Sequence, residues 1–106
     1  SRTNVLGASF AKATLGGANL QRLAGDGADF RGAHLEGADL RQARLHEARF
    51  DRAALRTLAA GKADLSRCRF DRADLTGASL RGAKLAGSIG SEKVTSSVGT
   101  MMLRGD

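Results

Sequence analysis

Large apolar side chains recur at every fifth residue along most of the chain. From Val5 to Leu85, fifteen of the 17 positions in this series hold Val, Leu or Phe, and we call these positions the large slots. Two residues before each large slot lies a small slot, and thirteen of those 17 positions hold Ala. Because no insertion or deletion interrupts the pattern, it indicates one repeating architecture rather than a series of separate helices and strands.

Neither regular secondary structure can use this spacing. A five-residue step turns a helix by about 140°, so the large slots would be scattered around its axis. In a flat strand, positions five apart alternate between the two faces. A backbone that turns a corner every five residues would direct every large slot inward, so the spacing predicts a solenoid with a narrow apolar interior.

A second period of twenty residues overlies the first. The four phenylalanines of the chain all fall on every fourth large slot, at Phe10, Phe30, Phe50 and Phe70. Residues one coil apart in such a solenoid would be separated by about 4.8 Å, the spacing of paired strands. The sequence therefore predicts a coil of twenty residues with four sides, and a structural Phe ladder buried on one of them.

The repeated segments resemble the A(D/N)LXX motif of the pentapeptide-repeat family. The motif is carried by Ala18-Asn19-Leu20, Ala28-Asp29-Phe30 and Ala63-Asp64-Leu65, among others, and the resemblance covers roughly residues 3–89. It implies an all-β fold, a right-handed quadrilateral parallel β-helix of about four coils. In that fold the large and small slots point inward and the other three residues of each repeat point outward.

The repeat ends near residue 90, which predicts two parts. We expect a pentapeptide-repeat β-helix over residues 1–90 and a C-terminal cap or tail over residues 91–106. The apolar residues of the tail fit both a helical and an alternating spacing. A cap over the last coil, a segment for homodimerisation and a disordered tail are the three alternatives. Because the repeat begins almost at Ser1, we expect the chain to be a domain of a larger bacterial protein.

Two repeats exchange the large and small side chains. Leu23 precedes Gly25, and Leu58 precedes Ala60, so that the larger residue stands in the small slot. Summed volume is nearly kept, which packed cores tolerate best. A repacked coil is the favoured interpretation, and a local bend or groove is the alternative.

Few residues offer chemistry. The only histidines, His34 and His46, fall on adjacent sides, too few for a zinc site. The single Cys68 occupies a small slot, where we expect a buried apolar filler. We therefore predict no enzyme activity, catalytic residue, metal or cofactor. No apolar run could span a membrane, and the lone cysteine and the absence of a visible signal peptide favour the cytoplasm.

The outward positions carry an excess of positive charge. The chain has 17 Lys and Arg against 11 Asp and Glu, a formal net charge of +6. We call the side of the coil that carries the phenylalanines the Phe face, and its basic residues form the candidate interaction face: Lys12, Arg31, Arg49, Arg52, Arg69 and Arg72. Ion pairs between successive coils are expected on this face, from Asp29 to Arg49 and from Arg31 to Asp51.

Three functions compete for this surface. The leading prediction is a non-enzymatic structural or protein-interaction module with an unidentified protein partner. The family resemblance implies a second, a protector or inhibitor of DNA gyrase that mimics DNA, but a mimic of duplex DNA needs negative charge. The third is a module that contacts nucleic acid or an anionic membrane through its basic face. Nucleic acid is the weaker partner, because interior phenylalanines provide no stacking platform.

Overall fold

The backbone repeats one short pattern along the chain. The structure is a computed structural model that describes residues 4–90, 93–96 and 99–102. Within residues 4–90, each repeat contains a tight turn followed by one bridge residue, or by two at Ala78 and Ser79. The isolated bridges between described residues of the repeats are parallel and join residues twenty apart, from Asn4 with Ala24 to Arg69 with Ile89. One coil of the solenoid therefore takes four repeats, as the twenty-residue period predicted.

Main-chain hydrogen bonds hold each coil to its neighbours. The N–H of Phe30 donates to the carbonyl of Arg49 in the next coil at 2.7 Å, and the N–H of Asp29 donates to Ala8 in the previous coil at 2.9 Å. Within the coil, the N–H of Ala33 donates to the carbonyl of Phe30 at 3.0 Å and closes the turn. This pattern satisfies most of the backbone N–H groups of the repeats, even though the strand segments are very short.

Each turn places its third residue in the left-handed region. A four-residue turn with positive φ at this position and a bond from its fourth N–H to its first carbonyl has type II geometry. Eight of these corner residues are glycines with φ between 65° and 74°: Gly7, Gly17, Gly27, Gly32, Gly37, Gly77, Gly82 and Gly87. Nine are not glycine, with φ between 56° and 62°: Lys12, Arg22, Gln42, Glu47, Arg52, Thr57, Lys62, Arg67 and Arg72. Eight of the outward glycines therefore serve the corners.

The four phenylalanine rings form a stack along the interior. Successive ring centroids lie 5.1, 5.1 and 5.3 Å apart, with interplanar angles of 9°, 3° and 4°. Phe30, Phe50 and Phe70 are buried, whereas Phe10 in the first coil is half-buried. The predicted Phe ladder is confirmed, and it keeps the cross-section of this side constant from coil to coil.

The first exchange of large and small residues is a repacked coil. Leu23 is 2% exposed, and its Cδ2 lies 3.5 Å from the place that a Cβ at Gly25 would take. The Cδ2 of Leu45 would lie even closer to that Cβ, at 2.9 Å. The second exchange is equally closed, because both Leu58 and Ala60 are buried. These contacts support repacking over a groove.

A β-hairpin follows the repeats. Strand β1 spans Lys93–Ser96 and strand β2 spans Gly99–Met102. They pair antiparallel, with Lys93 opposite Met102 and Ser96 opposite Gly99. Of the predicted tail, residues 91–92, 97–98 and 103–106 lie outside the described residues. The part of the chain that the structure describes contains no helix long and apolar enough to cross a membrane.

Candidate interaction surfaces

In six of the repeats, the residue before the large slot caps the following turn. In the described repeats, the N–H of the residue after a large slot has no main-chain acceptor. The Oδ1 of Asp29 accepts this N–H from Arg31 at 3.0 Å, and the Oδ1 of Asn19 accepts it from Gln21 at 3.2 Å. The same bond is made by Asn4, Asp39, Asp64 and Asp74. The Asp or Asn of the motif therefore supplies an acceptor that the main chain lacks.

Two capping carboxylates also hold an arginine of their own coil. The Nη2 of Arg31 lies 2.7 Å from the Oδ2 of Asp29, and its Nε donates to Oδ1 at 2.9 Å. Arg41 forms the same fork with Asp39, at 2.7 and 2.9 Å. The arginine side chain lowers the pKa of each of these two carboxyls, and the capped backbone N–H lowers it further.

The expected ion pairs between coils on this face are wrong. Asp29 pairs with Arg31 rather than with Arg49, and Arg31 pairs with Asp29 rather than with Asp51. The cap is the physical reason, because it already orients the Asp29 carboxylate toward the backbone of Arg31. The guanidinium of the same residue then reaches both carboxylate oxygens.

The structure stacks four of the six predicted basic residues in like-charged pairs. Arg49 and Arg69 face each other through a parallel bridge. Arg52 and Arg72 are corner residues of successive coils, both with φ of 61°. Lys12 lies apart in the first coil, and its Cγ lies 3.5 Å from the Cβ position of Gly32. Arg31 is neutralised by Asp29, so it adds little to the positive field.

Among the residues that the structure describes, only one of these four arginines has a carboxylate within ion-pair distance. Arg69 lies 3.8 Å from Asp51 and 3.5 Å from Asp71. Among the described residues, none of Arg49, Arg52 and Arg72 has a carboxylate oxygen within 4.0 Å. The Oδ1 of Asp51 is buried without a hydrogen-bond partner in the described part of the chain. The pairing on this face is therefore incomplete.

A groove along the edge of the Phe face adds a residue that sequence reasoning missed. This groove, of about 640 Å³, is lined by Arg49, Arg67 and Arg69, with carboxylates from Asp29 and Glu47. The sequence pattern assigns Arg67 to the adjacent side, but it is a corner residue shared by both sides. Because Arg67 stands at a corner position of the five-residue pattern, the sequence alone could have placed it at the edge of the Phe face.

The histidine network does not make a nucleophile. The hydroxyl of Ser66 lies 2.6 Å from the Oδ1 of Asp64, to which it donates, and 2.8 Å from the Nδ1 of His46. Because the hydroxyl proton points to the carboxylate, Nδ1 of His46 carries the proton and donates to Ser66. The imidazole therefore cannot act as the base for that hydroxyl. Residues 4–90 also contain no group of three or more His, Cys, Asp or Glu that could hold a metal ion.

Cys68 is the buried filler that its small slot predicted. The side chain is 0% exposed, and its thiol lies 2.8 Å from the carbonyl oxygen of Leu45, to which it donates. Burial raises the pKa of the Cys68 thiol to about 12, so the reactive thiolate is not formed near neutral pH.

Comparison with known proteins identifies the family of the repeat. The sequence profile described as "Pentapeptide repeats" matches residues 26–57 and 61–89 with eight copies. The chain therefore belongs to the pentapeptide-repeat family, whose fold is a right-handed quadrilateral β-helix. Members of this family are generally non-catalytic structural modules. A comparison with curated protein sequences found no match.

Three solved structures illustrate what the chain is similar to. A pentapeptide-repeat protein of the Arabidopsis thaliana thylakoid lumen is 21% identical, with a TM-score of 0.39, over 82% of this chain and 63% of its own. HetL, a pentapeptide-repeat protein involved in regulating heterocyst differentiation in the cyanobacterium Nostoc sp. strain PCC 7120, is 26% identical, with a TM-score of 0.29, over 80% of this chain and 56% of its own. The plasmid-mediated fluoroquinolone resistance protein QnrB1 is 18% identical, with a TM-score of 0.31, over 91% of this chain and 64% of its own. The chain thus spans less than two thirds of the length of each.

Proposed function

We propose that this chain is a non-enzymatic protein-interaction module that binds an acidic surface of a partner protein through its Phe face. The observation that carries the proposal is the stacking of Arg49 on Arg69 and of Arg52 above Arg72. Like charges on directly opposed positions destabilise a sheet, and of these four arginines the described carboxylates Asp51 and Asp71 reach only Arg69. An acidic partner would relieve this repulsion.

The position of the arginines suits recognition by a rigid surface. Their backbones are fixed by the coil hydrogen bonds, so little main-chain entropy is lost when a partner binds. Arg67 extends the positive surface around the corner into the groove with Arg49 and Arg69. Guanidinium groups also match carboxylates in bidentate geometry, which favours an acidic protein surface as the partner.

Nucleic acid is a weaker candidate for the same surface. The phenylalanines stack inside the solenoid, so the described residues offer no exposed aromatic ring for a base. Mimicry of DNA toward gyrase is opposed by the sign of the charge, since the chain carries +6. In a supercoiling assay we expect micromolar protein to leave gyrase unchanged, and inhibition or protection would contradict the charge argument.

The interaction is tested by paired charge variants. We expect chemical cross-linking, in cells that produce the protein, to join the wild type to a specific partner protein. The double variant Arg49→Gln/Arg69→Gln should abolish that cross-linked product. The variant Arg44→Gln/Lys84→Gln removes the same charge from another side and should retain it. Equal loss in both variants, or retention in both, would overturn the assignment of the Phe face. If the main cross-linked product of the wild type were nucleic acid, the choice of a protein partner would be wrong.

We further propose that about four coils form the rod and that the C-terminal segment from residue 91 caps it. An open solenoid end exposes apolar interior and free backbone groups, which solenoids normally cover. Truncation after Gly90 should lower the melting temperature, while wild type and truncated protein should both be monomers in light scattering. Light scattering that showed a dimer converted to a monomer would instead support the homodimer alternative, and no change in either property would contradict a cap.

A further inference from the structure

A notch interrupts the outward side chains on the side that follows Leu20, Leu40, Ala60 and Leu80. In one coil, Ala59 and Gly61 occupy positions at which the neighbouring coils carry larger side chains. The resulting cavity measures about 410 Å³, and Arg41, Lys62 and Arg81 line it. Three cationic side chains thus surround a floor at Ala59 and Gly61, and Gln21, Gln42 and Ser79 complete the lining.

The floor of this notch carries an unsatisfied donor. The N–H of Gly61 follows a large slot, and neither a main-chain nor a side-chain acceptor binds it among the described residues. In the repeat one coil earlier, Asp39 provides the acceptor for the N–H of Arg41 at 3.1 Å. Ala59 takes the place of that capping residue and has no acceptor to offer. Because Gly61 lines the cavity, a ligand oxygen bound there could accept its N–H.

The cations around the floor keep most of their capacity to bind. Arg41 uses its Nε and Nη2 on Asp39, which leaves Nη1 to donate elsewhere. Lys62 and Arg81 have no carboxylate within 4.0 Å among the described residues. The aliphatic stem of Arg41 packs beside the floor, with its Cγ 3.9 Å from the Cβ position of Gly61. Counting Asp39, the notch has two positive charges more than it has negative ones.

We propose that this notch is a binding site for a phosphate group, either inorganic phosphate or a phosphomonoester. A tetrahedral dianion supplies several acceptor oxygens and two negative charges, which match the Gly61 N–H and the three cations. A backbone N–H that points into a cationic concavity is a recurring element of phosphate sites. The site lies on a different side of the coil from the Phe face, so it does not depend on the proposed protein interaction.

The test is an NMR titration of the ¹⁵N-labelled full chain at constant ionic strength. Inorganic phosphate and O-phosphoserine are added in separate arms, and the amide resonance of Gly61 is followed. We expect saturable shifts centred on Gly61 and the neighbouring cations in at least one arm. The tighter ligand tells whether the site prefers free or esterified phosphate. No saturable shift at Gly61 in either arm would overturn the proposal.

Matched variants separate a built site from general attraction to a basic protein. Ala59→Asp restores the capping carboxylate, satisfies the Gly61 N–H and places negative charge in the notch, so binding should weaken by about tenfold or more. Ala54→Asp makes the same change of residue on an adjacent side and should bind phosphate as wild type does. Both variants add a turn cap, so neither is expected to unfold.

A second pair of variants examines the cations. Lys62→Gln should weaken phosphate binding, whereas Lys84→Gln, with the same loss of charge on another side, should not. If Ala59→Asp bound phosphate as tightly as wild type, or if both members of either pair weakened binding equally, the proposed site would be wrong.

Discussion

At the scale of single residues, a carboxylate or amide before the large slot completes the turn in six of the repeats. Asp39 accepts the N–H of Arg41 at 3.1 Å and also binds the Arg41 guanidinium at 2.7 Å. The first contact needs only an acceptor oxygen, whereas the second needs a negative charge. The two contributions can therefore be separated by substitution.

The first prediction compares Asp39→Asn with Asp39→Ala. Asparagine keeps the cap, so Asp39→Ala should be the less stable variant, by about 1 kcal/mol, the usual contribution of one hydrogen bond. The free energy of unfolding of both variants, measured by urea denaturation, checks this order. Equal stabilities would show that the cap contributes nothing.

The same carboxylate gives a prediction for pH. Because the folded pKa of Asp39 is lowered, its contribution is complete above the unfolded value of about 3.9 and is lost as the pH falls through the folded pKa. The pKa values of the Asp29, Asp64 and Asp74 carboxyls are also lowered. Urea denaturation from pH 6 to pH 2 should therefore show stability falling below about pH 4, less steeply in Asp39→Asn than in wild type. An identical slope in that variant would contradict the ion pair.

The exchanged repeat offers a double-mutant test of packing. Leu23→Ala should cost about 2–5 kcal/mol by opening a cavity, and Gly25→Leu about 1–3 kcal/mol by overfilling the same space. The double variant restores the ordinary order of small and large slots, so it should be more stable than the sum of the two losses predicts. Strictly additive free energies of unfolding would mean that the two side chains do not share one space.

The sequence predicted the inward residues well and the outward contacts less well. Phe50 and Leu55 could be placed because close packing allows a large side chain only one direction in a narrow coil. The partner of Asp29 could not, because Arg31 and Arg49 are both within reach and the choice depends on the cap. The notch at Gly61 was likewise overlooked, since it depends on an acceptor that Ala59 does not provide.

At the scale of the repeat, the corner residue carries the conformational cost. All the described corners have positive φ, which L-residues adopt at a cost of about 1–2 kcal/mol and which glycine adopts freely. At several corners a long side chain packs against a glycine one coil later. For example, the Cγ of Lys62 lies 3.4 Å from the position that a Cβ at Gly82 would take. Glycine at a corner thus serves both backbone conformation and close approach.

Two glycines separate these effects. Gly27 has φ of 73°, and a Cβ there would meet nothing within 4 Å, so Gly27→Ala should destabilise by about 1 kcal/mol through conformation alone. Gly16 has no positive φ, and a Cβ there would lie at an ordinary 3.5 Å from the carbonyl oxygen of Glu36. Gly16→Ala should therefore be neutral or slightly stabilising in thermal unfolding. The reverse order of melting temperatures would refute the corner assignment.

At the scale of the molecule, the interior is a stack of equivalent layers rather than a single globular core. The parallel bridges join residues twenty apart throughout the repeats, and the Phe rings stack with that period. Each coil contacts its neighbours, so stability should be close to a sum over coils and the interfaces between them. The outward charges can vary from coil to coil without disturbing this interior, which leaves the Phe face and the Gly61 notch free to acquire binding roles.

The claim that twenty residues form one coil is tested most directly by two deletions within the repeats. Removal of residues 36–55 takes out twenty residues and again places Phe70 twenty positions after Phe30. Removal of residues 36–50 takes out fifteen, keeps the five-residue pattern, and places Phe70 one coil after Leu35 instead. We predict that the twenty-residue deletion has the higher melting temperature, although it is the shorter chain, because misplacing the large ring costs about 1–3 kcal/mol in overpacking. Equal melting temperatures, or a more stable fifteen-residue deletion, would contradict the twenty-residue coil.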